Sequence, residues 1–549
     1  MAAPNSPAHP LVLVVLDGVG LRPDAPDNAV TLAAAPFLRE VLDPASGRPA
    51  VRLSIAAHGT AVGLASDADM GNSEVGHNIM GAGRVFPQGA KQVEDALQSG
   101  AIWGDAWRSV VDRGRSGHAV HFLGLLSDGN VHSHVDHLQA MLERAAADGA
   151  RDLVMHVLFD GRDVRDGTAE HYVEELERTL GGLNSRYGST ARIGSGGGRM
   201  STTMDRYDAD WPMVQRGYEA HVRGAARPFT SAAAALAAFR AEQPGISDQY
   251  LPSFSIVDGG GDAVGAMHDG DAVVIFNFRG DRVIEIYRAL TEVEFTEFER
   301  PPLPSCLLVA GMTLYDGDRG IPAQFLVVPS RVDRTVSEMI AAAGLQQAAV
   351  AETQKFGHIT YFWNGNRSGK FDEARETYVE IPSDRVPFEQ APSMKSAETA
   401  DALIALMHEG RYHFLRANFA AGDMVGHTGD IPASVAAVEA IDTALARIDS
   451  EVRARGGTLV ITADHGNCEM LVMRDSRGHV VVDDRGVPVP LKSHTLSPVP
   501  LIVLEYSGRR IAASTRDGLG LANLGASLLD LLGVVAPADY APPAFVAAG

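Results

Sequence analysis

Cysteine is nearly absent from this 549-residue chain: only Cys306 and Cys468 occur, far apart. That excludes a disulfide framework and a thiolate metal site. Positive charge is also short, with 47 lysines and arginines against 69 acidic residues and a formal net charge of −22. A nucleic-acid partner needs a basic face, so none is expected, although a small anion answers to local arginines and stays possible. No stretch approaches the roughly 20 apolar residues that span a bilayer. The apolar run LVLVVL (11–16) is too short for a signal-peptide core and leads straight into Asp-Gly,. A cytoplasmic protein with no membrane partner is expected. There is no internal repeat, and the one low-complexity stretch, SAAAALAAFRAE (231–242), reads as a helix. With 45% hydrophobic and 21% charged residues the chain is globular, and its length suits two or three domains,.

What is present is a recurring junction. LVLVVL runs into Asp17-Gly18, AVHFLGLL (119–126) into SDGNVHSH, and LVMHVLF (153–159) into DGRD. AVVIFNF (272–278) runs into RGDR, FLRANFA (414–420) into AGDMVGH, and TLVITA (458–463) into DHGN. Such apolar runs suit strands buried on both faces, as in parallel sheets. Ligands of open α/β sheets bind just beyond the carboxyl ends of the strands. One such junction is an ordinary turn; six carrying Asp, His, Arg and Gly point to an active site, or two. Candidate linkers are 84–90 and 321–330.

Seven residues are candidates for metal ligation: Asp17, Ser73, Asp423, His427, Asp464, His465 and His494. In GDMVGHTGD, Asp423 and His427 stand four apart around a glycine, so a loop or single turn can aim both at one ion. In TADHGN, Asp464 and His465 are adjacent where the backbone turns after a strand, and His494 lies in the loop KSHTLSPVP. Carboxylates with imidazoles suit Mn²⁺, Zn²⁺ or Co²⁺ better than Ca²⁺. Each residue alone has an ordinary alternative: a hydrogen-bonded histidine, an Asp-Gly turn, or Ser73 as a helix N-cap with Glu74 in the first turn. Jointly they favour a dinuclear centre that clamps a phosphoryl group. A metal lowers a hydroxyl's pKa, which would make Ser73, in DMGNSEVGHNIMGAGR, a nucleophile,. Ligands at 17 and 73 must then meet ligands at 423–494, so the termini build one domain and the middle is an insertion.

That middle carries Arg162 and Asp163 in FDGRDV, Arg199 and Arg206 in GGGRMSTTMDR, Arg279 and Arg282 in FRGDR, and His132 in GNVHSH. Guanidinium forks bind phosphate and carboxylate bidentately. A single arginine is usually a solvated surface residue; the set suggests a pocket for a ligand with more than one oxyanion group.

LDGVG, DMGNSEVGHNIMGAGR, LSDGNVHSHVDHL, DGRDV, MDR, FNFRGDR, GDMVGHTGD, TADHGN and SHT, in this order, closely resemble the cofactor-independent (2,3-bisphosphoglycerate-independent) phosphoglycerate mutases of the alkaline phosphatase superfamily. The resemblance runs from about residue 11 to about 540. It implies an α/β fold: an alkaline-phosphatase-like doubly wound sheet domain (1–86 and 330–549) holding the metals, with an inserted second α/β domain (87–329) binding substrate. It places Asp423, His427 and His494 on one metal and Asp17, Ser73, Asp464 and His465 on the other. The metals it implies are two divalent ions, Mn²⁺ first, with Mg²⁺, Co²⁺ or Zn²⁺ as alternatives, and no organic cofactor. Ser73 matches the serine that becomes phosphorylated. His132, Arg162, Asp163, Arg199, Arg206, Arg279, Arg282 and Lys355 (in ETQKFGHITYF) match substrate-binding positions, with Asp163 as general acid and base. Departures are few. GRMSTTMDR is one residue longer than the family spacing, and Gly280 and Asn130 differ from it; asparagine tolerates a left-handed turn.

The implied reaction interconverts 3-phosphoglycerate and 2-phosphoglycerate, in glycolysis and gluconeogenesis, by a monomer. A plain metal-dependent phosphatase or sulfatase would need the metal cluster but not the arginine pocket. A non-catalytic anion sensor would need no activated hydroxyl.

Overall fold

The run LVLVVL forms the strand Leu11–Leu16, with all six residues buried because both faces are covered,. Phe414–Phe419 and Thr458–Thr462 pair with it in parallel, one on each side. The computed structural model describes residues 9–548 except 65, 206–209, 302, 316–319, 329–331, 385, 476 and 484. Arg206 and the last two residues of the candidate linker 321–330 therefore lie outside the described residues. The chain divides into two units, Met1–Gln88 with Arg331–Gly549, and Gly89–Ser330.

In the first unit a seven-stranded sheet runs Glu376–Ile381, Gln347–Glu352, Phe414–Phe419, Leu11–Leu16, Thr458–Thr462, Val499–Glu505, Val51–Ile55. The last two strands are antiparallel additions at one edge. Parallel neighbours need crossover helices, supplied here by Ser396–Glu409 and Ile431–Ala454. Ile431–Ala454 starts at Asp430, whose side chain accepts from the Ala433 amide, with a proline in the first turn,. Its buried Ala437, Val438, Ile441, Leu445, Ile448 and Val452 recur at helical spacing,. On the same face, buried Asp442 accepts the Leu38 amide at 2.6 Å, satisfying a donor at the start of the helix Pro36–Leu42,.

The second unit holds another seven-stranded sheet, in the order Arg227–Phe229, Phe254–Ile256, Thr190–Gly198, Asp152–Phe159, Val120–Leu126, Ala272–Ile275, Leu308–Gly311. Its last five strands are mutually parallel. Helices Val135–Ala147 and Ala169–Tyr187 are crossovers between them. AVVIFNF is shorter as a strand than as an apolar run, because the Asn277 side chain takes over the ladder and accepts the Leu125 amide at 2.9 Å. Asn130 adopts φ 59°, the left-handed turn asparagine tolerates,. SAAAALAAFRAE is the helix Ala232–Glu242 capped by Ser231. Among the described residues no helix is long and apolar enough to cross a membrane.

Burial holds three histidines of this second unit uncharged: His137 is pushed down to about 4, His221 to about 3, and His156 well below 6.5. Their unfolded pKa is about 6.5, so below that value the unfolded state binds protons that the folded state refuses. Stability is thus complete above about pH 6.5 and falls as pH drops. Each group costs on the order of 2 kcal/mol at pH 5. Scanning calorimetry is expected to show the transition of this unit moving to lower temperature between pH 7 and pH 5; an unchanged transition would contradict it.

Candidate functional site

Ser73 is the first residue of the helix Ser73–Ala82, and Asn72 is its cap, with the Asn72 side chain accepting the Val75 amide at 3.1 Å. Ser73 as N-cap is thereby excluded, and its hydroxyl is left for other contacts. Two glycines explain the small residues around it. A Cβ at Gly76 would meet the Asp464 carbonyl oxygen at 2.6 Å, and one at Gly71 the Ala57 oxygen at 2.0 Å. The helix start is therefore pressed onto the turn after Thr458–Thr462. Gly18, at φ +73°, lets the turn after Leu11–Leu16 approach Asp423, whose Cα would lie 2.7 Å from an added Cβ. Asp423 sits in a short helix, Ala421–Gly426.

These packings converge on Ser73 Oγ, which donates to Asp17 Oδ1 at 3.1 Å and lies 3.0 Å from His465 Nε2. Lys355 Nζ donates to Ser73 Oγ and Asp17 Oδ1, both at 2.6 Å, and to Asp423 Oδ2 at 2.7 Å. Burial opposes the charge on Lys355, but Asp17, Asp423 and Asp464 raise its pKa and keep it an ammonium.

The donor set fits divalent cations. His427 Nδ1 lies 2.5 Å from the Lys492 carbonyl oxygen, which fixes its proton there and leaves a lone pair on Nε2,. That Nε2 is 3.1 Å from Asp423 Oδ1 and 3.1 Å from His494 Nε2, itself 3.3 Å from Asp423 Oδ1. A carboxylate oxygen and two imidazole nitrogens facing one another at such distances are placed to share one cation,. A second group, Asp17, Asp464 and His465, also brings its ligand atoms within 4.8 Å of one another, and His465 reaches the Asp423–His494 pair as well. Asp464 Oδ2 is buried, with no hydrogen-bond partner among the described residues and His77 Nδ1 3.4 Å away. Burial disfavours a charged His465, yet Asp464, Asp17 and Asp423 override it and raise its pKa to about 9. A nitrogen with that affinity for a proton is placed to hold a metal instead.

Sequence reasoning missed the side chains that hold these ligands. Glu469 is fully buried; its Oε2 accepts the amides of Gly20 at 3.1 Å and Asn467 at 2.8 Å, and its Oε1 accepts the Thr495 hydroxyl. One carboxylate thus ties together the loops carrying Asp17, His465 and His494. Asn418 donates to Asp17 Oδ2 at 2.7 Å, and Asn467 to Asp423 Oδ1 at 2.9 Å. Their signal was a polar residue inside or just after an otherwise apolar buried run.

In the second unit the other candidates sit beyond strand ends. Asp160, Arg162 and Asp163 follow Asp152–Phe159, and Arg199 follows Thr190–Gly198. Arg199 is 1% exposed; its Nη1 pairs with Asp160 Oδ1 at 2.7 Å and with Asp163, while its Nε is buried with no hydrogen-bond partner among the described residues. His132 Nδ1 is 3.6 Å from Asp281 Oδ1, and Arg279 pairs with Asp281 Oδ2 at 3.1 Å. Burial, then the fields of Arg199, Arg279, Arg282 and Arg162, hold His132 well below 6.5, so four guanidinium groups act on one imidazole. Burial and neighbouring Asp163 raise the pKa of Asp160. Four guanidinium groups thus gather around His132, together with the carboxylates of Asp160, Asp163 and Asp281. Arg206 lies outside the described residues.

Comparison with known proteins agrees with this chemistry. The model of the Metalloenzyme superfamily matches residues 9–536. The 2,3-bisphosphoglycerate-independent phosphoglycerate mutase of Trypanosoma brucei brucei is 50% identical over 98% of this chain and 97% of its own length. A probable enzyme of the same name from Leptospira interrogans is 47% identical over 97% of this chain and 96% of its own. The crystal structure of Leishmania mexicana phosphoglycerate mutase at low cobalt concentration superposes with a TM-score of 0.93 at 46% identity, covering 99% of both chains. The chain belongs to the 2,3-bisphosphoglycerate-independent phosphoglycerate mutases of the Metalloenzyme superfamily.

Proposed function

We propose that this chain interconverts 3-phosphoglycerate and 2-phosphoglycerate through a phosphoserine on Ser73, as a divalent-metal enzyme that needs no 2,3-bisphosphoglycerate. The observation that carries the reading is the ring of Lys355, Asp17 and His465 around the buried Ser73 hydroxyl. Asp423, His427 and His494 would hold one ion; Asp17, Ser73, Asp464 and His465 would hold the other, Mn²⁺ being the first choice. When bound, the ions supply positive charge that acidifies the hydroxyl and offsets phosphoryl charge.

Ser73 reacts as its alkoxide, having released its proton to solvent when the ions bind; the Lys355 ammonium stabilises that oxyanion, and the alkoxide is regenerated when the phosphoryl group leaves,. The serine oxygen forms the bond to phosphorus as the ester bond to the glycerate breaks, and Asp163 protonates the departing glycerate oxygen. The Asp163 carboxylate then takes the proton from the other glycerate hydroxyl, which attacks phosphorus and frees Ser73. One carboxyl group serves as acid and then as base. Arg162, Arg199, Arg206, Arg279, Arg282 and His132 hold the glycerate's carboxylate and phosphate, and a second oxyanion explains why several guanidinium groups are gathered.

A coupled assay on purified enzyme without added bisphosphoglycerate tests the reading. Mutase turnover with little release of inorganic phosphate is expected. Phosphate release as the dominant product would make the protein a phosphatase.

A further inference from the structure

Six buried side chains of the second unit form an unbroken polar row that the reaction above does not use. Asp271 Oδ2 faces His121 Nε2 at 3.2 Å, and His121 Nδ1 faces His156 Nε2 at 2.9 Å. His156 Nδ1 meets Ser195 Oγ at 2.7 Å, Ser195 Oγ meets His221 Nδ1 at 2.7 Å, and His221 Nε2 meets Thr203 Oγ at 2.8 Å. None of the six residues is more than 3% exposed. His121, His156 and Ser195 lie on three adjacent strands, and a register shift after Met155 sets His156 opposite Ser195,.

With neutral imidazoles the row has a single polarity. Asp271 already accepts the amides of Ala119 at 2.9 Å and His268 at 2.7 Å, so it is the acceptor for His121 Nε2–H. In the neutral row His121 Nδ1 accepts from His156 Nε2–H, whose Nδ1 accepts from the Ser195 hydroxyl. Ser195 has spent its proton and accepts from His221 Nδ1–H, and His221 Nε2 accepts from the Thr203 hydroxyl. Burial, which keeps His156 and His221 uncharged, sustains this order.

Thr203 is where the row meets the arginine pocket. It adopts φ +73°, a strained region for a β-branched residue,. Its neighbour Gly217 leaves room for it, since a Cβ there would lie 2.0 Å from Thr203 Oγ. The carbonyl of the next residue, Met204, accepts from Arg282 Nη1 at 3.0 Å. We propose that the row from Asp271 to Thr203 is a positioning device for anion binding: His221 holds Thr203 in its strained conformation, and Thr203 sets the Met204 carbonyl that aims Arg282. This rests on the reading of Arg282 as a substrate arginine.

Thr203→Val keeps the branched shape and removes the hydroxyl. It is expected to raise KM for 3-phosphoglycerate about tenfold with kcat within about twofold, the scale of one misaligned charge-assisted hydrogen bond. Thr203→Ser is expected to restore KM. Nitrogen-15 spectra of histidine-labelled wild-type enzyme are expected to show the Nε2–H tautomer for His121 and His156 and the Nδ1–H tautomer for His221. Those spectra decide the row's polarity even where Thr203→Val does not fold, and any other tautomers would overturn the proposal. An Arg282→Ala control separates the two readings. If it raises KM while Thr203→Val does not, or if Thr203→Ser fails to rescue, the positioning role falls alone. If Arg282→Ala leaves KM unchanged, the arginine pocket falls with it.

Discussion

Replacing Ser73 with alanine is expected to lower mutase turnover by about 10⁴-fold or more while fold and metal content persist, the scale seen when a nucleophile is removed. The side chain is 4% exposed, and its hydroxyl contacts only polar groups: Asp17, His465 and Lys355. Lys355 keeps Asp17 and Asp423 after the substitution, so no buried charge is orphaned. Asn72 rather than Ser73 caps the helix, so the helix start also survives. The loss then belongs to chemistry, not to folding. Circular dichroism, metal analysis and the coupled assay on the same preparation check it. More than a few per cent of activity in a metal-loaded variant would contradict the phosphoserine route.

Stripping the divalent ions is the second large effect. Turnover is expected to vanish on exhaustive chelation and to return on adding Mn²⁺ or Co²⁺. Stability is expected to follow, because Asp423 Oδ1, His427 Nε2 and His494 Nε2 lie within 3.3 Å of one another only in the folded state, and a cation bound there stabilises that state,. An ion at about 1,000 times its Kd adds on the order of 4 kcal/mol. Calorimetry with and without metal reads this as an upward shift for the first unit, and the second unit serves as internal reference. Activity that survives a chelator shown to have removed all metal would contradict the metal role.

Much of this architecture was legible because strands buried on both faces leave continuous apolar runs. All six such runs are strands, each followed by the polar residues that carry chemistry. The structure brings Asp17, Ser73, Asp423, His427, Asp464, His465 and His494 near one another, although Ser73 and His494 follow none of the six runs. Lys355 joins them, and only the family resemblance pointed to it. What stayed hidden depends on partners distant in sequence. Glu469 reads as an ordinary acid in DHGNCE until Gly20 and Thr495 are brought to it. His121, His156 and His221 look like scattered polar breaks in apolar strands and a helix, and only sheet register aligns them. The antiparallel edge formed by Val499–Glu505 and Val51–Ile55 leaves no local mark either, since direction is set by connection rather than by composition.

The central claim is that Ser73 carries the phosphoryl group between the two oxygens of the glycerate. Its most direct test is rapid acid quenching of the metal-loaded enzyme during turnover of 3-phosphoglycerate, followed by peptide mass mapping. A phosphate on Ser73, formed and discharged as fast as the mutase reaction proceeds, is the result this account predicts. Full turnover with Ser73 unmodified, or with the phosphate on another residue, would contradict it.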